Sequence, residues 1–189
     1  MVIESTRNET VKRARALAQR KGRLEQGVHF IEGEKLVREA VVSGAQFVDA
    51  FIEDGHDLMA AVLSGSGANV YTVRRSVMES LTQTGTPQWV CATVKTPDQP
   101  IPEYYPAGLI VALDCVQDPG NLGTILRTAD AMGACGLLLG EGCADPYAPK
   151  PLRAAMGSIY HIPVWQGNLE NEAARLAAQG FTLVCGHLK

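Results

Sequence analysis

The residues best suited to chemistry lie in DPGNLGTILRTADAMGA, residues 118–134, where a Pro-Gly turn precedes Asn121 and Arg127 follows six positions later. The first amides of a helix lack intrahelical partners and, together with the helix dipole, favour an anion such as a phosphate. We interpret Asn121 as the N-cap of such a helix and Gly123 as the residue that lets an anion approach the backbone. Arg127 offers a planar fork of donors that suits a phosphate or a ribose oxygen.

A purely structural interpretation of this stretch stays open, in which Asn121 only caps the helix and Arg127 pairs with Asp130 three positions later. The competing motifs are absent: no Lys-Ser/Thr pair follows the glycines, and neither G-x-G-x-x-G after a strand nor G-x-S-x-G occurs. His29 and His161 flank predicted strands and are interpreted as structural or surface residues. No histidine spacing and no C-x-x-C pair predicts a metal site.

The second chemical feature is a group of cations near the N-terminus of a chain whose formal net charge is −3. A local basic patch on an acidic protein attracts a polyanion while the whole molecule stays soluble. The charges alone leave open an alternative, an ordinary solvated helix face. The group consists of Lys12, Arg13, Arg15, Arg20, Lys21 and Arg23.

Two α/β units joined by a proline-rich segment are predicted to position these residues. In residues 1–95, strand-like stretches such as VHFIEG and QFVDAFI alternate with helical ones, which predicts a small unit with a largely parallel sheet. A helix over residues 8–20, with Asn8 as its N-cap, begins this unit. Residues 96–108 contain four prolines and no periodicity, which predicts a linker or a strapping loop.

The second unit, residues 109–189, repeats the alternation with more apolar strands. LIVALDC, CGLLLG, HIPVW and FTLVC are predicted strands, with helices over 121–132, 149–157 and 168–179 between them. Near-continuous apolar strands are typical of a parallel sheet that is covered on both faces. The sequence therefore predicts an α/β architecture throughout.

The composition bears on the cellular location of the protein. Hydrophobic residues make up 46% of the chain, yet no apolar run reaches the roughly 18 residues of a membrane span. The five cysteines lack the spacing of a disulfide framework or a zinc site. We expect a cytoplasmic protein without a membrane segment or a bound metal.

The second unit resembles the SpoU family of RNA ribose 2′-O-methyltransferases, part of the SPOUT superfamily. The resemblance rests on LDCVQDPGNLGTILRTADAMGACGLLL, which matches N-x-G-x-x-x-R between a strand and a helix. It continues through GCADPYAPKPLRAAMGSIYHIPV, which is similar to the family's next strand–loop–helix unit. The first unit, with KGRLEQGVHFIEGEKLVREAVVSGAQF and TPQWVCATV, is similar to the ribosomal-protein-like substrate-binding domain that many of these enzymes carry.

The resemblance implies an enzyme that transfers a methyl group from S-adenosylmethionine to a ribose 2′-hydroxyl of ribosomal or transfer RNA. It also implies a homodimer whose catalytic domain is an α/β knot. Asn121 and Arg127 become the predicted catalytic residues. Asn121 is expected to position the loop, and Arg127, which stays charged, to orient and polarise the hydroxyl through the adjacent RNA phosphate. The N-terminal cations become predicted RNA-binding residues that contact phosphates.

The sequence also departs from the family pattern. Two further family motifs, one like G-x-E-x-x-G and one like S-L-N-V-S-x-A, do not occur in these 189 residues. We therefore expect an incomplete knot domain, a chain that does not bind S-adenosylmethionine in the family's manner, and one that is inactive alone. A non-catalytic RNA-binding module is the alternative function.

Overall fold

The computed structural model describes residues 2–82 and 85–186, and its first half forms a five-stranded sheet flanked by helices. The strands are β1 (Val2–Ile3), β2 (Val28–Glu32), β3 (Phe47–Glu53), β4 (Asn69–Val73) and β5 (Val90–Lys95). The helices are α1 (Glu9–Ala16), α2 (Arg20–Gln26), α3 (Glu34–Val42), α4 (Asp57–Gly65) and α5 (Arg75–Leu81).

This first sheet is mixed, so the prediction of a largely parallel sheet is wrong here. Its order is β1-β4-β3-β5-β2, and β5 runs antiparallel to both β2 and β3, whereas β3 and β1 run parallel to β4. Alternation of strands with helices does not fix strand direction, because β5 follows α5 along the chain and still runs antiparallel to both of its neighbours. Inside the sheet, β5 is strongly apolar, and its first five residues are buried.

The N-terminal helix starts where the sequence predicts and ends earlier. The side chain of Asn8 accepts a hydrogen bond from the amide of Thr10 at 2.9 Å, which confirms it as the N-cap. The predicted helix over 8–20 is two helices, because α1 ends at Ala16 and α2 starts at Arg20. Gly22 makes this corner tight, since a side chain there would overlap the carbonyl group of Ala16.

The second half forms a three-stranded parallel sheet in the order β6-β7-β8, as predicted. Its strands are β6 (Ile110–Leu113), β7 (Gly136–Leu139) and β8 (Val164–Gln166). Its helices are α6 (Pro119–Ala131), α7 (Pro149–Ala155) and α8 (Leu169–Ala178), with a single 3-10 turn at Ser158–Tyr160. The central strand β7 is buried along its whole length, as a sheet covered on both faces requires.

One predicted strand is absent from the part of the chain that the structure describes. FTLVC, residues 181–185, has no strand pairing there, and the side chain of Val184 is 91% exposed. A strand exists only through its ladder to a neighbour, and the three strands of this sheet pair only with one another over residues 85–186. An apolar, β-branched stretch can therefore form a strand, but only where a neighbouring strand is available to pair with it.

The proline-rich segment 96–108 is a strap that packs on the second unit. The side chain of Tyr105 is buried, and its hydroxyl donates to the carboxylate of Glu172 on α8 at 2.6 Å. Its ring meets Trp165 of β8 edge to face at 5.4 Å. Arg175 also donates to the carbonyl oxygen of Pro102 at 2.7 Å. These contacts tie the segment to α8 and β8.

Candidate active site

The helix α6 carries the predicted catalytic residues, and it starts two residues earlier than predicted. Asp118 is the N-cap, with Pro119 as the first helical residue, and its carboxylate accepts a hydrogen bond from the amide of Asn121 at 2.8 Å. The prediction of Asn121 as the N-cap is therefore wrong. Asp is a preferred N-cap and Pro a preferred first helical residue, so Asp118 and Pro119 start the helix before Asn121 is reached.

This cap changes the chemistry of the helix start. The bond from the Asn121 amide lowers the pKa of the Asp118 carboxyl below its usual value, and Lys150, 3.4 Å away, acts in the same direction. A fixed carboxylate thus already satisfies the amide that was expected to bind an anion. Any RNA contact at this end of α6 must come from side chains instead of from the helix amides.

Gly123 serves packing between helices, which corrects its predicted role in anion approach. The residue is buried, and a Cβ there would lie 2.5 Å from the carbonyl oxygen of Pro151 and 2.6 Å from the Cβ of Ala154. Only a glycine lets α6 and α7 approach this closely. The position of α7 relative to α6 is therefore fixed at this contact.

Arg127 is exposed and makes no hydrogen bond or ion pair with the described residues. The alternative in which it pairs with Asp130 is wrong, because the carboxylate of Asp130 instead contacts Nδ1 of His161 at 2.7 Å. The side chain of Asn121 is likewise exposed, and residues 2–82 and 85–186 give it no partner. Both side chains are free to meet a ligand.

The geometry of α6 places these two side chains on one exposed face. Six residues separate them, which corresponds to about 9 Å along the helix axis and about 120° around it. Thr124 lies between them, and its hydroxyl donates to the carbonyl oxygen of Gly120 at 2.9 Å. Asn121 and Arg127 therefore border the face and carry its unused polar groups.

The predicted RNA-binding cations divide into two kinds. Lys12 pairs with Glu9, Lys21 with Glu25 and Arg13 with Asp49, all through exposed basic groups. Arg15 and Arg20 are exposed and have no partner in the described part of the chain. These five cations remain available to a polyanion.

Arg23 belongs to the second kind, and its assignment to RNA binding is wrong. Its side chain is 7% exposed and pairs with Asp145, with 2.6 Å between Nη2 and Oδ2. It also donates to the carbonyl oxygen of Leu17 at 2.6 Å. A charge count cannot reveal this partner, because Asp145 lies 122 residues away in the other unit.

Two histidines join the units, consistent with their structural interpretation. His29 is fully buried, and its ring nitrogens lie 3.1 Å from the hydroxyl of Thr96 and 2.9 Å from that of Tyr160. Burial lowers the pKa of His29 to about 3. His161 lies between Asp130 and Glu39, whose hydrogen bonds raise its pKa above the ordinary value. Sequence spacing gave no sign that these residues lie at a junction.

The loops after β6 and β7 lie where a ligand of the second sheet is expected, and they contact each other. Ligands of parallel α/β sheets bind beyond the carboxyl ends of the strands, where the loops after β6 and β7 lie. Those loops are hydrogen-bonded to each other. The amide of Ala144 donates to the carbonyl oxygen of Val116, and the thiol of Cys115 lies near the carbonyl oxygen of Glu141. We assign no residue of this chain to the cofactor. The described residues also contain no cluster of His, Cys, Asp or Glu suited to a metal.

No helix among the described residues is long and apolar enough to cross a membrane.

The α/β fold of the chain matches that of solved rRNA methyltransferase structures, which are of the SPOUT class. Residues 8–92 match the MRM3-like substrate binding domain, and residues 108–189 match the SpoU rRNA Methylase family. The chain belongs to the SpoU family of rRNA methylases, a family of RNA ribose 2′-O-methyltransferases that use S-adenosylmethionine.

Individual proteins show the same likeness. The chain is 36% identical to 23S rRNA (guanosine(2553)-2′-O)-methyltransferase RlmP of Bacillus subtilis, over 94% of this chain and 70% of that protein. It is 33% identical to human mitochondrial rRNA methyltransferase 3, over 79% of this chain but 37% of the human protein.

A solved structure supports the family assignment. The AdoMet-bound rRNA methyltransferase of Sinorhizobium meliloti superimposes with a TM-score of 0.84 at 35% identity, over 95% of this chain and 69% of that one. These comparisons do not favour a non-catalytic RNA-binding module.

Proposed function

We propose that this chain provides the RNA-binding side of an enzyme that methylates a ribose 2′-hydroxyl of ribosomal RNA, with S-adenosylmethionine as the donor and with Asn121 and Arg127 at the reacting ribose. The observation that carries the proposal is the exposed face of α6, where both side chains have no partner among residues 2–82 and 85–186. The ribosomal target is supported by the relatives, which are rRNA methyltransferases by name. The donor supplies the methyl group when bound.

The chemistry of Arg127 fits orientation of the substrate better than proton abstraction. An arginine guanidinium stays protonated in proteins, so Arg127 cannot accept the proton of the 2′-hydroxyl. A bidentate contact to the neighbouring phosphate would fix the ribose and favour the developing alkoxide electrostatically. Asn121 carries a carboxamide that can both donate to and accept from the sugar.

Substrate binding is assigned to the first unit. We assign contacts with RNA phosphates to Lys12, Arg13, Arg15, Arg20 and Lys21, because their cationic groups are exposed. The limits 1–95, 96–108 and 109–189 for the substrate-binding unit, the strap and the catalytic unit belong to the same proposal. A homodimer and a cytoplasmic location complete it.

The position of the methyl group on the product tests the proposal. Alkaline hydrolysis of RNA needs a free 2′-hydroxyl, so a methyl group there leaves an alkali-resistant dinucleotide. Ribosomal RNA is incubated with the full-length protein and S-adenosylmethionine that carries a labelled methyl group, and is then hydrolysed. We expect the label in dinucleotides. Label in mononucleotides would mean base methylation and would refute the ribose assignment.

A further inference from the structure

The junction of the two units forms a groove lined by cations from three helices. The wider part has a volume of about 630 Å³ and contains Lys35 and Arg38 of α3 together with Arg153 of α7. A narrower continuation beside α1 contains Arg15. Arg153 lines both parts, so the two form a single groove that crosses from the first unit to the second.

Most of these cations have no protein partner. Arg38 is bound to Glu34 at 2.8 Å, but Arg15, Lys35 and Arg153 make no hydrogen bond or ion pair with residues 2–82 or 85–186. Arg153 is in addition partly buried. The wider part also contains Glu32 and Glu34, of which Glu34 is bound to Arg38, so the four cations of the groove still outnumber its carboxylates. A partly buried cation that is not neutralised is unfavourable unless an external anion meets it. The overall charge of the protein is negative, so this local excess of cations stands out.

We propose that this groove, which we call the junction groove, binds the sugar–phosphate backbone of an unpaired RNA segment through Arg15, Lys35 and Arg153. The inference rests on the proposed function and specifies the path of its substrate. Single strands bind in basic grooves that follow the backbone, with bases against apolar or aromatic walls. Met156, 41% exposed, and the exposed Gln88 supply an apolar surface and a hydrogen-bonding group in the same groove.

The groove shares helix α7 with the helix pair that carries the candidate active site. Arg153 lies on α7, and α7 is held against α6 through the contact between Gly123 and Pro151. An RNA backbone bound at Arg153 is thus anchored to the helix pair that carries Arg127. Phosphates bound in the groove would determine which nucleotide of the strand reaches α6. The groove would therefore position the RNA and would not recognise its base sequence.

Fluorescence anisotropy with a labelled oligouridine tests the junction groove. The variants are Arg153→Gln, Lys35→Gln and the double variant. The matched control is Arg74→Gln, an exposed arginine outside the groove that pairs with Glu4. Dissociation constants are measured between about 50 and 200 mM salt, because each phosphate contact to a single strand contributes about 0.7 to the slope of log K against log salt.

We expect each groove variant to weaken binding about tenfold and the double variant to lower the salt slope by about 1.4, with Arg74→Gln close to wild type. Failure of the wild-type protein to bind the oligouridine, or a double variant within about twofold of wild type, would overturn the groove. A stem-only RNA that competes as well as the oligouridine would also overturn it, because the proposal requires an unpaired strand.

Methyl transfer to ribosomal RNA, measured in parallel with the full-length protein and its groove variants, separates this inference from the proposed function. If the wild-type protein transfers methyl groups and the groove variants bind RNA normally, the groove is wrong and the function stands. If the groove variants lose RNA affinity but no protein transfers methyl groups to the ribose, the groove stands and the function is wrong.

Discussion

Replacement of Arg23 tests whether this residue holds the two units together or contacts RNA. Arg23→Met keeps much of the side chain's volume but removes the charge that pairs with Asp145 at 2.6 Å. The change leaves a carboxylate that is 20% exposed without its partner and frees the carbonyl oxygen of Leu17. Removal of one member of a buried ion pair costs about 3–5 kcal/mol.

The lower end of that range applies here, because water still reaches Asp145. We expect the free energy of unfolding to fall by about 3 kcal/mol, and Tm to fall by roughly 6–12 °C for a chain of this size. Urea unfolding followed by circular dichroism measures the first, and a thermal scan measures the second. Lys21→Met is the matched control, since its side chain is 84% exposed and its removal should cost under about 0.5 kcal/mol.

RNA affinity, measured on the same variants, completes the test. Arg23→Met should weaken RNA binding no more than Lys21→Met does. A loss of stability below about 1 kcal/mol, combined with a larger loss of RNA affinity than in the control, would refute the structural role. The double variant Arg23→Met/Asp145→Asn should recover part of the lost stability, because the unpaired carboxylate is then gone.

Two further predictions concern the contacts around α6. Gly123→Ala should lower the free energy of unfolding by about 1–3 kcal/mol, because the added methyl group overlaps the carbonyl of Pro151; Gly65→Ala, with open space around it, should be neutral or stabilising, and equal losses would contradict the packing role. His161 has a raised pKa, so its stabilisation relative to His161→Gln should be complete below about pH 6.5 and disappear as pH rises through the folded pKa. Unfolding measured across pH checks this, and a difference that grew with pH would contradict it.

The sequence predicts best those features that depend on neighbouring residues. Asn8 caps α1 through the amide of Thr10, two positions away, and the apolar run of β7 implies a buried central strand. The direction of β5 depends instead on its two neighbours, β2 and β3, which are distant in the sequence. Its antiparallel pairing therefore cannot be predicted from nearby residues. The prediction of a strand at 181–185 was wrong for the same reason, since no neighbouring strand pairs with these residues in the described chain.

At the candidate site the same division holds. The exposure of Arg127 follows from its place on an amphipathic helix, and the family motif singles it out. The burial of Arg23 follows from a carboxylate in the other unit, which no spacing rule can anticipate. Asp118 could have been predicted as the N-cap from the sequence, because an Asp-Pro pair at a helix start is a stronger signal than the Asn that follows it. The missing cofactor motifs, and the inactivity expected of this chain alone, stay predictions.

Methyl transfer by Arg127→Ala in the full-length protein, with Arg127→Lys and Arg74→Ala beside it, tests the central claim most directly. We predict that Arg127→Ala lowers kcat for 2′-O-methylation by at least about a hundredfold, that lysine fails to restore it, and that the free energy of unfolding changes by less than about 0.5 kcal/mol. Arg74→Ala should retain activity. A fully active Arg127→Ala, or one that loses activity only because it unfolds, would contradict the assignment of this side chain to the reacting ribose.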